Sequence, residues 1–159
     1  MLSDAAIAEL HHIKTTIYAD LIASGGCPLR PGVENLLTAA QARGQRLAIA
    51  TTTSRGNIDA LLASALGRDW AGRFAAIVAG DEVSKKKPAP DVYLEVLSQL
   101  SLSAGECLSI EDSGIGLVAA SSAGIPVLVL RSVYFRDDDF SAALLVVDDL
   151  TEVGIDLVE

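Results

Sequence analysis

Apolar and polar residues alternate in blocks along the chain, with two different spacings. Short apolar runs predict buried strands, and apolar positions three or four residues apart predict amphipathic helices. Glycine or proline stands at several of the block boundaries, where a helix or strand is expected to end. The pattern predicts helices at residues 4–24, 31–43, 57–66, 91–100 and 114–123, and strands at 47–50, 75–79, 107–110, 127–130 and 145–147.

Strands and helices follow one another at short spacing, which predicts an α/β fold: a Rossmann-like parallel sheet with helices on both faces and right-handed crossovers. In such sheets ligands bind at the carboxyl ends of the strands. Two polar clusters follow predicted strands, at residues 51–54 and at Glu111 and Asp112. We therefore expect these clusters to belong to one site.

Composition narrows the choice of partners. The chain has 159 residues, half of them apolar and 4% aromatic, which suits one domain with a sheet buried between helices. Its net charge of -9 argues against nucleic acid and anionic membranes as partners, and requires any phosphate site to be locally basic. Cys27 and Cys107 are far apart, as expected for reduced thiols in a cytoplasmic protein. We expect no signal peptide and no membrane span.

The first polar cluster is the Thr-Thr-Thr-Ser run at residues 51–54. Hydroxyls and backbone N–H groups between a strand and a helix can bind a phosphate. Serine and threonine are equally common as helix N-caps, so the run alone leaves both interpretations open.

Three lysines followed by Pro88-Ala89-Pro90 form a second feature. The prolines restrict the backbone after Lys87, so this lysine can present a fixed charge to a phosphate or a carboxylate. Lys85 and Lys86 fit a solvated basic loop.

Glu111 and Asp112 are adjacent carboxylates between a strand and a helix. Such a pair is costly without a counter-charge, and Mg²⁺ with oxygen ligands would supply one. Asp112 or Ser113 also fits a helix N-cap, and the two roles are compatible.

The order of the three features is more specific than any one of them. Residues 47–54 (LAIATTTS), 86–91 (KKPAPD) and 111–113 (EDS) resemble the second, third and fourth motifs of the haloacid-dehalogenase-like hydrolases. They are most similar to the CbbY-type sugar-phosphate phosphatases, the β-phosphoglucomutase-like subgroup. Residues 7–15 and the stretch from 133 onward also look like that group.

The resemblance implies a role for each matching residue. Residues 1–26 would be a remnant of a helical cap domain and 27–159 the catalytic core. Thr51 and Lys87 would be catalytic, and Glu111 and Asp112 would hold Mg²⁺, with Asp112 the direct ligand. The substrate would be bound by Thr51, Thr52, Thr53, Ser54, Asn57 and Lys87, and from the cap by His11 and Lys14, which would reach a distal phosphate; an exposed helix face accounts equally well for His11 and Lys14.

The family's first motif, D-x-D-G-T/S, does not occur in this sequence. Its first aspartate is the nucleophile and its second the general acid and base. In the family this motif follows the central strand, so we expect an incomplete core with an empty slot between the strands before Thr51 and Asp112. Unpaired edges would make the chain a fragment that is unstable, dimeric or prone to aggregation, and inactive alone.

The sequence thus predicts a Mg²⁺-dependent phosphatase for a small sugar phosphate or bisphosphate, such as xylulose 1,5-bisphosphate, acting through an aspartyl-phosphate whose nucleophile is missing from this chain. A phosphosugar mutase of the β-phosphoglucomutase type and a non-catalytic phosphate-binding fragment remain alternatives. A phosphoacceptor signalling domain would carry its acidic cluster first and its lysine last, which is the opposite order.

Overall fold

The computed structural model describes residues 3–23, 25 and 27–153. Helices and strands alternate through most of this range, as the hydrophobic pattern predicts. The helices are α1 (Asp4–Ala23), α2 (Val33–Ala42), α3 (Arg55–Leu66), α4 (Asp91–Leu100) and α5 (Gly114–Ser122), and the strands are β1 (Ala48–Ala50), β2 (Ala76–Val78), β3 (Ser109–Glu111), β4 (Val127–Leu130) and β5 (Leu145–Val147).

The strands form two parallel sheets. Among the described residues, one sheet consists of β1 and β2 and the other has the order β3-β4-β5. Parallel pairing and the helices between the strands confirm the predicted α/β class. The division into two sheets also matches the expected slot, because β1 and β3 each keep one edge without a strand partner among the described residues.

Alternate residues of a strand in a parallel sheet bond to the same neighbour. Thr51 N–H donates to the Val78 carbonyl of β2, so the backbone groups of Ala48 and Ala50 point away from β2. Similarly, Ser109 N–H donates to Pro126 on the β4 side, which directs the backbone groups of Ile110 the other way. Ile110 is 42% exposed although it is an apolar residue at a strand centre.

Helix α4 joins the two sheets on one face. Its inward residues Val92 and Val96 pack in a single core cluster with Val78 of β2 and with Val127 and Val129 of β4. This cluster bridges the break between the sheets, because residues from both sheets bury their side chains against the same helix. Burial of apolar surface against α4 therefore fixes the positions of the two sheets relative to each other, although no strand among the described residues is hydrogen-bonded to both.

Two smaller clusters cover the opposite face. Leu128 and Leu130 alternate with the valines of β4 and pack against α2 and Leu150. Ile58 of α3 packs with Trp70 beneath the first sheet. Successive residues of β4 therefore belong alternately to the clusters on the two faces of the sheet. Both faces of this strand are buried, as its fully apolar sequence indicates.

Helix α1 packs against α3 and keeps an apolar stripe in solvent. Ile22 is buried, and its carbonyl accepts a hydrogen bond from Ser64 Oγ at 3.2 Å. Leu10, Ile17 and Leu21 remain more than half exposed. The boundary at residue 26 between a cap remnant and a core stays a prediction.

The unpaired edges predict self-association of this chain. Because charged residues at an edge oppose strand pairing, Ile110→Lys should shift the chain toward monomer in sedimentation velocity at matched concentrations. Leu94→Lys is the control, since Leu94 is 50% exposed on α4 and lies outside both edges. Equal effects of the two substitutions, or a monomeric wild-type chain that melts cooperatively, would contradict association through the strand edges.

Candidate active site

A cavity of about 710 Å³ lies where the carboxyl ends of β1 and β3 face each other. It carries three basic side chains, Arg30, Lys86 and Lys87, against the two carboxylates Glu111 and Asp112. The site is therefore locally basic in a chain whose net charge is -9. The other lining residues are Ala50, Thr51, Thr52, Ile110, Ser113, Ile115, Leu130 and Phe135.

The threonine loop after β1 is tied to β2 at both ends. Thr51 N–H donates to Val78 O at 3.1 Å, and Gly80 N–H donates to Thr53 O at 2.8 Å. Within the loop, Thr51 Oγ1 accepts a hydrogen bond from Thr53 N–H at 3.2 Å. Gly80 is required where it stands, because a Cβ there would overlap the backbone of Thr52. The loop thus presents Thr51 and Thr52 to the cavity on a braced backbone.

Lys87 reaches both sheets. Its Nζ donates to Ala50 O at the end of β1 at 3.0 Å and to Glu111 Oε1 at the end of β3 at 2.5 Å. A third hydrogen bond, of 3.2 Å, goes to the Tyr93 hydroxyl. The peptide bond between Lys87 and Pro88 is cis. The lysine side chain is 11% exposed, so water screens its charge only weakly.

The two carboxylates at the end of β3 have different surroundings. The Glu111 side chain is 9% exposed and is paired with Lys87, and it lies against Gly116 of α5. Asp112 is exposed at the cavity wall, although its carboxyl is partly shielded from solvent. This partial burial, followed by the nearby Glu111 charge, raises the pKa of Asp112 above its usual value. Two neighbouring carboxylates of this kind favour the binding of a cation.

A divalent cation fits this donor set. Mg²⁺ is bound in proteins by one or two carboxylates, with water and phosphate oxygens completing the coordination. No group of three or more His, Cys, Asp or Glu side chains that could hold a metal ion occurs in the described part of the chain. Asp112 would be the direct ligand, and Glu111 would support it while paired with Lys87.

The structure brings some predicted site residues together and leaves others apart. Thr51, Thr52, Lys87, Glu111 and Asp112 share the cavity. Four other residues that were predicted to contact the substrate have described side chains but do not line the cavity: Thr53, Ser54, Asn57 and Lys14. Their role in substrate binding stays a prediction.

Local contacts account for the positions of three of these residues. Asn57 Nδ2 donates to Thr53 Oγ1 at 3.0 Å, and Ser54 is the N-cap residue of α3 without a side-chain cap bond. Lys14 is exposed on α1. The side chain of His11 lies outside the part that the structure describes.

Several residues at the site were not predicted from the sequence. Arg30 lines the cavity and donates to Leu130 O at 3.0 Å and Arg131 O at 2.7 Å. Asp138 lies outside the cavity lining and accepts a hydrogen bond from Gly114 N–H at 2.7 Å, at the start of α5. Tyr93 contacts Lys87 and Glu111 from α4. A polar aromatic residue on the inward face of a helix was the one available signal for Tyr93.

Comparison with known proteins identifies the family. Residues 2–124 match the model of the haloacid dehalogenase-like hydrolases. The chain belongs to this family. The CbbY proteins of Cupriavidus necator and Rhodobacter capsulatus are 54% and 52% identical to it over 91% and 94% of its length. The chain spans 57% and 66% of those two relatives.

Solved structures of a related protein agree with the family assignment. CbbY from Rhodobacter sphaeroides in complex with phosphate superposes with a TM-score of 0.91 at 38% identity, covering 97% of this chain and 68% of that protein. A variant of the same protein, with the same score and coverage, is in complex with xylulose 1,5-bisphosphate. No helix in the described residues is long and apolar enough to cross a membrane.

Gly116→Ala should disturb the Lys87–Glu111 pair, because a Cβ at Gly116 would overlap Glu111 Oε2. We expect a loss of about 1–3 kcal/mol in the free energy of unfolding, measured by urea denaturation. Gly56→Ala is the matched control, since a Cβ at that helical glycine meets nothing within 4 Å. An unchanged free energy in Gly116→Ala would contradict the packing of Glu111 against α5.

Asp112→Asn should raise the melting temperature at pH 7 in metal-free buffer, because it removes a charge that Glu111 and burial disfavour. A carboxyl whose pKa is raised by folding binds protons more readily in the folded state, so it lowers stability once the pH exceeds its usual value. The gain should disappear as the pH falls below that value. The check is a series of thermal melts across pH, and a gain independent of pH would refute the electrostatic explanation.

Proposed function

We propose that the cavity is most of the active site of a Mg²⁺-dependent phosphatase for a small phosphorylated sugar, with a bisphosphate such as xylulose 1,5-bisphosphate as the expected substrate. The observation that carries this proposal is the cavity shared by Thr51, Lys87 and Asp112. Its hydroxyls and cations suit a phosphoryl group, and the related CbbY protein was crystallised with phosphate and with xylulose 1,5-bisphosphate.

The residues of the cavity would bind and neutralise the transferring phosphoryl group. Thr51 and Thr52 would donate hydrogen bonds to its non-bridging oxygens from the braced loop after β1. Lys87 would place its positive charge beside the same oxygens, where charge develops during in-line displacement. Bound Mg²⁺, held by Asp112 with support from Glu111, would supply further charge neutralisation and orient the phosphoryl group.

We infer that the nucleophile is not among the residues that line this cavity. The carboxylates among the lining residues are Glu111, which is paired with Lys87, and Asp112, which the metal would occupy. We therefore propose that a segment carrying an aspartate enters between the open edges of β1 and β3. Its carboxylate would attack phosphorus, the sugar oxygen would leave and take a proton, and water would then hydrolyse the aspartyl-phosphate.

The same observation supports a second candidate, phosphate binding without turnover by this chain alone. A phosphosugar mutase would use the same cavity, so its activity is tested by isomerisation of a hexose 1-phosphate. Hydrolysis without isomerisation would favour the phosphatase.

Inorganic phosphate should bind the purified chain, more tightly with Mg²⁺ than without, as measured by calorimetry. Lys87→Met should weaken this binding about tenfold or more, because it removes a positive charge from the cavity wall. Lys85→Met is the matched control, since Lys85 is exposed and does not line the cavity. Thr51→Val provides a second variant in case Lys87→Met destabilises the chain.

Release of phosphate from xylulose 1,5-bisphosphate is measured in parallel, with Asp112→Ala as the control. Absence of release with intact phosphate binding fits a chain whose nucleophile is supplied from elsewhere. Release that Asp112→Ala abolishes would refute an external nucleophile, and failure to bind phosphate would refute the proposed function.

A further inference from the structure

The Tyr93 hydroxyl lies at the centre of a polar cluster made of Tyr93, Lys87, Glu111 and Ser109. The hydroxyl donates to Glu111 Oε1 and accepts hydrogen bonds from Lys87 Nζ at 3.2 Å and Ser109 Oγ at 3.1 Å. A phenol has one donor and two acceptor positions. All three are used, although Tyr93 is only 5% exposed.

Packing alone does not require this hydroxyl. The inward face of α4 is otherwise apolar, with Val92, Val96, Leu97 and Leu100 buried beside Tyr93. A phenylalanine would fill the same space at no cost of desolvating a polar group. The hydroxyl instead meets the two charged groups that border the cavity. A phenol is neutral at pH 7, so its hydrogen is available to Glu111.

Lys87 depends on the same hydroxyl. An ammonium group has three N–H donors, and here they go to Ala50 O, Tyr93 Oη and Glu111 Oε1. Its Nζ also lies 4.7 Å from the centroid of the Tyr93 ring. Without the hydroxyl, Lys87 loses an acceptor and Glu111 loses a competing donor, so the ammonium is free to move toward Glu111 and away from Ala50.

We propose that Tyr93 is a positioning residue for the phosphate site, which holds the Lys87 ammonium between Ala50 and Glu111 at the cavity wall. Its hydroxyl does this by sharing Glu111 with Lys87 and by accepting one ammonium hydrogen. The link to phosphate rests on the function proposed above. The effect on the ammonium itself does not.

Tyr93→Phe tests this role, because it removes the hydroxyl and keeps the ring. The first readout is the ¹⁵N signal of the Lys87 ammonium, assigned by its loss in Lys87→Met and visible at neutral pH when hydrogen bonds slow proton exchange. We expect this signal in the wild-type chain and its loss or broadening in Tyr93→Phe. The second readout is calorimetry with inorganic phosphate, where we expect binding to weaken about tenfold, because the ammonium charge no longer lies at its position between Ala50 and Glu111.

Val96→Ala is the matched control, since Val96 is 6% exposed on the same helix and belongs to the same core cluster. It should lower the melting temperature without changing the ammonium signal or phosphate affinity. A Lys87 signal that is absent from the wild-type chain, unchanged in Tyr93→Phe or lost equally in Val96→Ala would overturn the proposal. Loss of the signal in Tyr93→Phe alone supports it, even if the wild-type chain binds no phosphate and the proposed function fails.

Discussion

The ion pair between Lys87 and Glu111 joins the ends of two strands that belong to different sheets. Lys87 also donates a hydrogen bond to the carbonyl of Ala50, which is directed away from β2. One ammonium group therefore bridges the break between β1 and β3. Both side chains are nearly buried, and desolvation makes such a pair a weak source of stability. Removing one partner nevertheless leaves an isolated buried charge, which costs about 3–5 kcal/mol. The cavity wall thus depends on both charges being present.

Local sequence was enough to predict where this site lies. Strands in a parallel sheet are buried on both faces, so β4 and its neighbours appear as apolar runs whose ends are visible in the sequence. Polar residues directly after those runs must lie at the carboxyl edge, and this places Thr51 and Asp112 together without any knowledge of pairing. The two sheets of the described residues are separate at the place where the sequence predicts a break, between β1 and β3.

Contacts between distant residues could not be predicted in the same way. Arg30 is 100 residues from the Leu130 carbonyl that it binds, and Asp138 is 24 residues from Gly114. Their roles depend on how loops cross the sheet edge, which hydrophobic periodicity does not encode. Tyr93 lies on the apolar face of α4, and its hydroxyl was the one feature of the sequence that distinguished it from an ordinary core residue. Asn57, which the resemblance assigns to the substrate site, lies on α3 and donates a hydrogen bond to Thr53 Oγ1, a contact that the sequence did not predict.

Several features at the site are unfavourable for the stability of the fold. Glu111 and Asp112 place like charges side by side, Tyr93 buries a hydroxyl that packing does not need, and Ile110 stays exposed at a strand centre. Each feature carries a cost; Glu111, Asp112 and Ile110 line one cavity, and Tyr93 contacts Glu111 behind it. Sequences usually avoid such costs and accept them where function requires it. The concentration of costs at the β1–β3 break therefore argues that selection acted on this cavity, and that the surrounding core of valines and leucines supplies the stability to maintain it.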